Sequence, residues 1–427
     1  MACILVYTSP ARGHLYPILG PATELASRGH DVRVVTLDAE VELVRGLGLG
    51  ADAMDPAVEA REMDDYKGRN PKQSLERAVA TFGDRGPMDR LDLRRAIASH
   101  DPDVLIVDNN SWGALAAAEG SGLPWCAFQP YFTPLASRDA PPFGPGLPLA
   151  KGPLGRLRDR IVGRMFLEQM AKVFLPVINE IRGAEALDPV VTLNDFFTRP
   201  PLTIYFTAEP LEYPRSDWPE SYVMVGPATW NPPSGVPDWL VEIDRPIVLV
   251  TCSTERQGDS VLLQAALDGL ADEDVFVVGT SAGQDPNDFD VPSNARVERF
   301  LPHDPICRRA AVVVCHGGMG ITQRALAGSV PVVVVPFGRD QLEVARRVEH
   351  AGAGVRLSPR RLTPERIAGA VDRARRCAER AGEVAKAFNQ AGGDAKAADL
   401  VEGLLPTHDQ DGQADSAPMS GAEPSER

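Results

Sequence analysis

What most constrains this chain is the way its apolar runs end. Ala311 to Cys315 is short and continuously apolar, stops at His316, Gly317, Gly318 and Gly320, and is followed by a helical pattern from Ile321 to Ala327. A buried parallel strand reads as such a run, and glycines between it and a helix mark a tight strand-to-helix turn. Glycine permits the bend and a close approach of backbone to ligand, while the first amides of the helix, unpartnered inside it, point toward an anion. A ligand-free turn would use glycine too, so the neighbours decide. A second apolar run, Val330 to Pro336, ends in Phe337, Gly338, Arg339, Asp340 and Gln341. That places a carboxylate and a carboxamide at the carboxyl end of an adjacent strand, where open α/β sheets bind ligands.

The amino terminus repeats the pattern. Ile4 to Thr8 reads as a strand, Ser9-Pro10-Ala11-Arg12-Gly13-His14 as a loop, and a helix is expected from near Tyr16 and Pro17 to a stop at Gly29. His14 is thereby expected on a strand-to-helix loop. A lone histidine is more often a packing or surface residue than a base; its position is what makes it a candidate. Farther on, Val104 to Val107 is an apolar strand ending at Asp108, before Asn109, Asn110, Ser111 and a helix containing Trp112, Ala114, Ala117 and Ala118. Asp108 at that strand end can orient a base histidine or cap the following helix.

The block from Arg299 to Gln341 resembles the donor-binding signature of the GT-B glycosyltransferases, in the family that includes plant and bacterial natural-product glycosyltransferases and animal glucuronosyltransferases. The opening Gly13-His14-x-x-Pro17, followed by Arg28-Gly29-His30, is similar to the start of the same family. The resemblance implies two Rossmann-like α/β domains facing each other across a cleft, and an inverting, metal-independent transfer. It implies His14 as general base with Asp108 as its orienting partner. It implies a donor site in which Phe300 and His303 lie by the nucleobase and His316, Gly317, Gly318 and Gly320 hold the diphosphate. Thr322 is expected close to them, with Asp340 and Gln341 on the sugar hydroxyls. Carboxylate and amide suit a polyhydroxylated hexose, since one accepts and the other both donates and accepts. Thr251-Cys252-Ser253-Thr254, after the strand Ile247 to Val250, resembles the family's Ser/Thr-x-Gly-Ser/Thr element, with Thr254 as the phosphate-contacting hydroxyl; Ser253 departs from the usual glycine, as Arg324 departs from a commonly acidic position.

At 427 residues and 44% hydrophobic content the chain is long enough for two cores. The expected organisation is an acceptor-binding domain over 1–226, a proline-rich linker over 227–243, a nucleotide-sugar domain over 244–405 whose last helix crosses back, and a disordered polar tail over 406–427. A net charge of −15 argues against a nucleic-acid partner. Six cysteines without paired spacing, no leader pattern and no run long enough to span a bilayer give the expectation of a cytoplasmic protein, monomeric or weakly dimeric. No cofactor is expected beyond the nucleoside-diphosphate sugar as co-substrate. Asp288-Phe289-Asp290 imitates a metal-binding pair but lies in a turn-rich stretch with the composition of an exposed loop, so no metal is expected. Gly46, Gly48 and Gly50 imitate a dinucleotide fingerprint but follow a helical segment, so they read as a helix stop.

Ile161, Met165, Phe166, Met170, Phe174 and Val177 recur at helical spacing, a stripe that is ordinarily core. The resemblance places this region over the acceptor pocket, making Phe132, Met165, Phe166 and Met170 candidates for a large hydrophobic acceptor such as a macrolide or ansamycin polyketide. Arg156, Arg158, Arg160 and Arg164 on the same segment offer a membrane-surface contact as a weaker reading. Three functions are therefore carried forward: a hexosyltransferase using UDP-glucose or a thymidine-linked sugar, for biosynthesis or inactivation; a nucleotide-sugar epimerase of the same fold; and a noncatalytic sugar-nucleotide-binding helper.

Overall fold

The computed structural model describes residues 1–232, 235–253 and 259–406. The chain forms two wholly parallel sheets. The first contains β1 (Cys3–Tyr7), β2 (Asp31–Thr36), β3 (Gly50–Ala53), β4 (Val104–Asp108), β5 (Trp125–Gln129), β6 (Thr203–Tyr205) and β7 (Tyr222–Met224), in the order β3-β2-β1-β4-β5-β6-β7. The second contains β8 (Ile247–Thr251), β9 (Phe276–Thr280), β10 (Ala295–Glu298), β11 (Ala310–Cys315), β12 (Val332–Val334) and β13 (Gly354–Arg356), in the order β10-β9-β8-β11-β12-β13. Every residue of β4, β5 and β8 is buried, which is why these strands are solid apolar runs with no alternation. In each sheet the strand order reverses once, between β1 and β4 and between β8 and β11, and a crevice at the carboxyl ends of the strands opens there.

One short alanine-rich helix explains how tightly the first sheet is covered. The helix Pro71–His100 lies so close to the helix Trp112–Glu119 that a Cβ on Gly113 would sit 1.8 Å from the Gly86 carbonyl oxygen. The last described helix returns to the first sheet. Ala397, Ala398 and Val401 of the helix Gly393–Glu402 join the core around Ile4, Leu15 and Val104. Arg28 bridges Asp399 at 2.6 Å and Glu402 at 2.8 Å, and the Gly393 amide donates to the Val225 carbonyl at 2.7 Å.

The two halves also meet at a buried ionic cluster. Arg347, on the helix Gln341–Ala351, reaches Glu212 of the first half at 2.8 Å and Glu343 of its own helix at 2.9 Å, and all three side chains are at most 2% exposed. The guanidinium lies 4.2 Å above the Phe132 ring centroid and 4.4 Å above that of Tyr213. Glu343 also accepts the Gly144 and Gly146 amides at 2.8 and 2.9 Å, and Arg346 donates to the Gly146 carbonyl at 2.7 Å. Charges this deeply desolvated are stable only when every partner is in place, so the cluster fixes one relative placement of the sheets. Phe132 is consequently core, wholly buried beneath Arg347, and does not line an acceptor pocket.

Two local expectations are corrected. The first helix runs Arg12–Ser27, with Pro17 and Pro21 inside it, so His14 lies in its first turn and not on the preceding loop. The early start is possible because the first four amides of a helix need no internal partner; His14 and Leu15 already donate to the Ala11 carbonyl, at 2.9 and 3.0 Å. Met170 of the helix Pro153–Gly183 is 5% exposed within the main core, so helical spacing there marks packing. No described helix is long and apolar enough to cross a membrane. Asp288 and Asp290 are exposed at the loop between β9 and β10. The polar tail from Thr407 lies outside the described residues.

Candidate active site

The elements that follow β1 and β4 form one half of the site. Asp108 closes β4 and is fully buried. Its carboxylate takes three kinds of donor: the Ser9 amide at 3.1 Å, the Asn110 amide at 2.8 Å, and the His14 ring, whose Nδ1 lies 2.8 Å from Oδ2 and 3.1 Å from Oδ1. Asp108 makes no side-chain bond to the helix after it: Ser111 is the N-cap, and that cap has no side-chain hydrogen bond. The capping alternative is thus not what the structure shows. Burial works against the charged imidazole of His14, but the Asp108 charge and hydrogen bond outweigh it, and His14 titrates above the ordinary histidine value. Asp340, from the second half, adds to that rise, so the two halves face each other here. Burial in turn raises the Asp340 carboxyl, with Arg339 and His14 holding it back.

The elements after β8 and β11 form the other half. Gly317 has φ +98°, and a Cβ there would meet Val334 Cγ1 at 2.8 Å and Gln341 Cβ at 3.3 Å. A Cβ on Gly318 would stand 2.6 Å from His316 Nε2, so glycine at both positions lets the turn close under the imidazole. Gly318 is the N-cap of the helix Met319–Ala327 and supplies no side-chain bond, as glycine must. The first amides of this helix therefore keep their donors toward the cleft, a site suited to diphosphate oxygens. Gly320 has open space around the missing Cβ. His316 is 9% exposed with Nδ1 3.9 Å from Asp259; burial pushes its pKa down, against the pull of Asp259.

His303 opens the helix His303–Cys307, with Nε2 3.2 Å from Thr280 Oγ1, and burial followed by the charges of Arg324 and His316 holds it down to about 4. Phe300 is 64% exposed beside it, an open ring face. Thr322 is brought under the turn and not to its surface: it is fully buried, its hydroxyl 3.7 Å from Cys315 Sγ. Gln341 likewise turns its carbonyl oxygen inward, accepting the Phe337 and Gly338 amides at 2.7 and 3.0 Å; it shapes the loop that presents Asp340. Thr254 lies outside the described residues. On the proposed acceptor side, Met165 is 68% exposed and Phe166 packs against Gly144.

Three contributors carried no sequence signal of their own. Asn110 and Tyr131 touch His14 from the far side, and Arg339 makes a two-point ion pair with Asp65 across the cleft, at 2.8 and 2.9 Å. Asp65 sits in a short 3-10 turn of the first half, distant in sequence, and nothing local marks it as a partner of the donor loop.

Comparison with known proteins identifies the fold and the family. The Erythromycin biosynthesis protein CIII-like C-terminal domain family matches residues 264–401, which includes the glycine turn and the Asp340 loop. The chain is 33% identical to 4'-demethylrebeccamycin synthase of Lentzea aerocolonigenes over 392 residues, 87% of this chain and 91% of that protein. It is 33% identical to a PGL/p-HBAD biosynthesis glycosyltransferase of Mycobacterium tuberculosis over 282 residues, 65% of this chain and 64% of that protein. Among solved structures, the glycosyltransferase of kitacinnamycin superposes with a TM-score of 0.71 at 22% identity, covering 95% of this chain and 99% of that one. The glycosyltransferase VinC in complex with dTDP gives 0.68 at 21% identity, covering 94% and 99%. The fold is GT-B, and the chain belongs to the family of actinobacterial natural-product glycosyltransferases.

Proposed function

We propose that the protein is an inverting glycosyltransferase that moves a hexose from a nucleoside-diphosphate sugar to a hydroxyl of a hydrophobic natural product. The observation that carries this reading is the His14–Asp108 pair at 2.8 Å, at the switch point of one sheet and facing Asp340 from the other. With Nδ1 committed to Asp108, the basic lone pair of His14 is at Nε2. That atom takes the acceptor proton as the acceptor oxygen attacks the anomeric carbon from the face opposite the diphosphate. The bond from that carbon to the diphosphate oxygen breaks, and its electron pair leaves with the nucleotide. Asp108 stabilises the imidazolium so formed. Negative charge developing on the diphosphate meets the open amides of the helix Met319–Ala327 and His316. Because these protein groups receive the charge, turnover is expected to persist in a chelator.

UDP-glucose is the leading donor, with Asp340 as the group that holds sugar hydroxyls. A thymidine-linked sugar is the competing one, supported by the VinC complex with dTDP. A hydrophobic natural-product acceptor, of which a polyketide is one candidate, is in keeping with the erythromycin-biosynthesis and rebeccamycin-synthase names of the relatives, and six free cysteines, four of them buried, support a cytoplasmic location. The epimerase alternative finds no support among the relatives. Mass spectrometry of products tests the reading: the protein is incubated with UDP-glucose, or with a thymidine-linked sugar, and a panel of polyketide and flavonoid acceptors. An acceptor heavier by one hexose supports transfer and identifies the donor. Donor consumption without an adduct contradicts it.

A further inference from the structure

With His14 Nδ1 held by Asp108, what faces Nε2 decides whether the ring waits as a base. Asn110 Nδ2 lies 3.3 Å from Nε2, while Asn110 Oδ1 is 2.6 Å from the Tyr131 hydroxyl. The backbone of Asn110 is pinned as well, donating to Asp108 at 2.8 Å. A carboxamide has a donor end and an acceptor end, so whatever occupies one end dictates which is offered at the other. A separation of 2.6 Å belongs to an O–H···O bond and is too short for an ordinary N–H···O one. Tyr131 therefore donates to Oδ1, and the N–H of Asn110 is turned toward His14. The Tyr131 phenol is well placed for this, since burial and the nearby Asp108 charge push its pKa far up and keep its proton on. Its ring also leans on the imidazole, centroids 5.9 Å apart.

An N–H aimed at Nε2 pairs with a lone pair and opposes a second N–H. The charged groups around the ring come from three other elements: Asp108 at the end of β4 and Asp340 of the second half favour the imidazolium, and Arg85 of the helix Pro71–His100 disfavours it. We propose that Tyr131 and Asn110 are positioning residues that hold His14 as the neutral Nδ1–H tautomer, its Nε2 kept unprotonated against the pull of the two carboxylates until the acceptor hydroxyl takes the place of the Asn110 N–H. The inference rests on His14 being the base, and it is tested without turnover. The His14 ring is titrated by NMR in the full-length wild-type protein, in Tyr131→Phe and in Asn110→Ala, with its resonance assigned by His14→Gln. Losing the Tyr131 donor frees the amide to turn its oxygen to Nε2, and losing the amide removes the opposing N–H. Both variants are expected to titrate higher by about half to one pH unit, the size of one hydrogen bond expressed on the pH scale. The acid limb of kcat/KM is expected to move with them. Each variant acts at a different end of the relay, so either one, folded, suffices. An unmoved His14 titration in a folded variant overturns the proposal, whatever happens to activity, since a purely structural role lowers stability or rate without shifting that ring. Turnover surviving His14→Ala would sink the general-base reading instead and leave any titration shift standing.

Discussion

The two halves of the site use the same device and tune their histidines in opposite directions. Each places a strand-to-helix turn beside the point where its sheet reverses order. After β1 the first helical turn carries His14, and a buried carboxylate raises it. After β11 the turn carries His316, and burial lowers it, as burial, with Arg324 and His316 nearby, lowers His303 to about 4. The first half is prepared to receive a proton. The second stays uncharged until an anion arrives, with helix amides and glycine space instead of a paired side chain. Identical topology thus supplies a base on one side and an anion cradle on the other, and the difference lies in whether a carboxylate lies within hydrogen-bond reach.

The strongest way to break the comparison is to loosen the register between the halves. Arg347→Ala would leave Glu343 buried without its ion-pair partner and Glu212 with only Arg215 at 3.5 Å, and a loss of about 3–5 kcal/mol in denaturant-unfolding stability is expected. A variant as stable as the wild type would mean the cluster does not hold the sheets together. Asp108→Asn touches only the first half. It is expected to lower kcat/KM about 10²- to 10⁴-fold and to move the acid limb to lower pH, with nucleotide affinity by calorimetry unchanged. Gly317→Ala touches only the second. With φ at +98° and Val334 in the way, it is expected to cost about 1–3 kcal/mol of stability and to weaken nucleotide binding, leaving the pH profile where it was. A shifted acid limb in that variant would show that the halves are not separable.

The smallest effect is the pH dependence of stability. His303 and His316 titrate below their unfolded value, so between about pH 6.5 and 4 the unfolded chain binds more protons and stability falls with acid. His14 has the opposite sign: its stabilising contribution is complete below the unfolded value and is lost as pH rises through the higher folded one. His303→Gln is expected to flatten the acid slope of the thermal midpoint, and an unchanged slope would place the acid sensitivity elsewhere.

Strand ends were the most legible part of the sequence. The apolar runs closing at Asp108 and His316, and the carboxylate at Asp340, fix which residues reach the crevice, because parallel strands deliver their last residues to one edge. Side-chain direction was less legible. Thr322 and Gln341 stand in the right segments but turn inward, and a periodicity that puts Met170 on a helix face does not say what covers that face. Phe132 was unreadable without Arg347, which lies far along the chain and meets it only after both halves fold. The Asp65–Arg339 pair is long-range in the same sense, whereas the Tyr131–Asn110 contact joins two loops of the first half.

The most direct test of the central claim is the rate of hexose transfer by His14→Ala, measured beside nucleotide affinity on the same preparation. Removing the base while leaving the second half intact is expected to cut kcat/KM by at least about 10²-fold with nucleotide binding preserved. Transfer at the wild-type rate would contradict the assignment of His14 as the group that takes the acceptor proton.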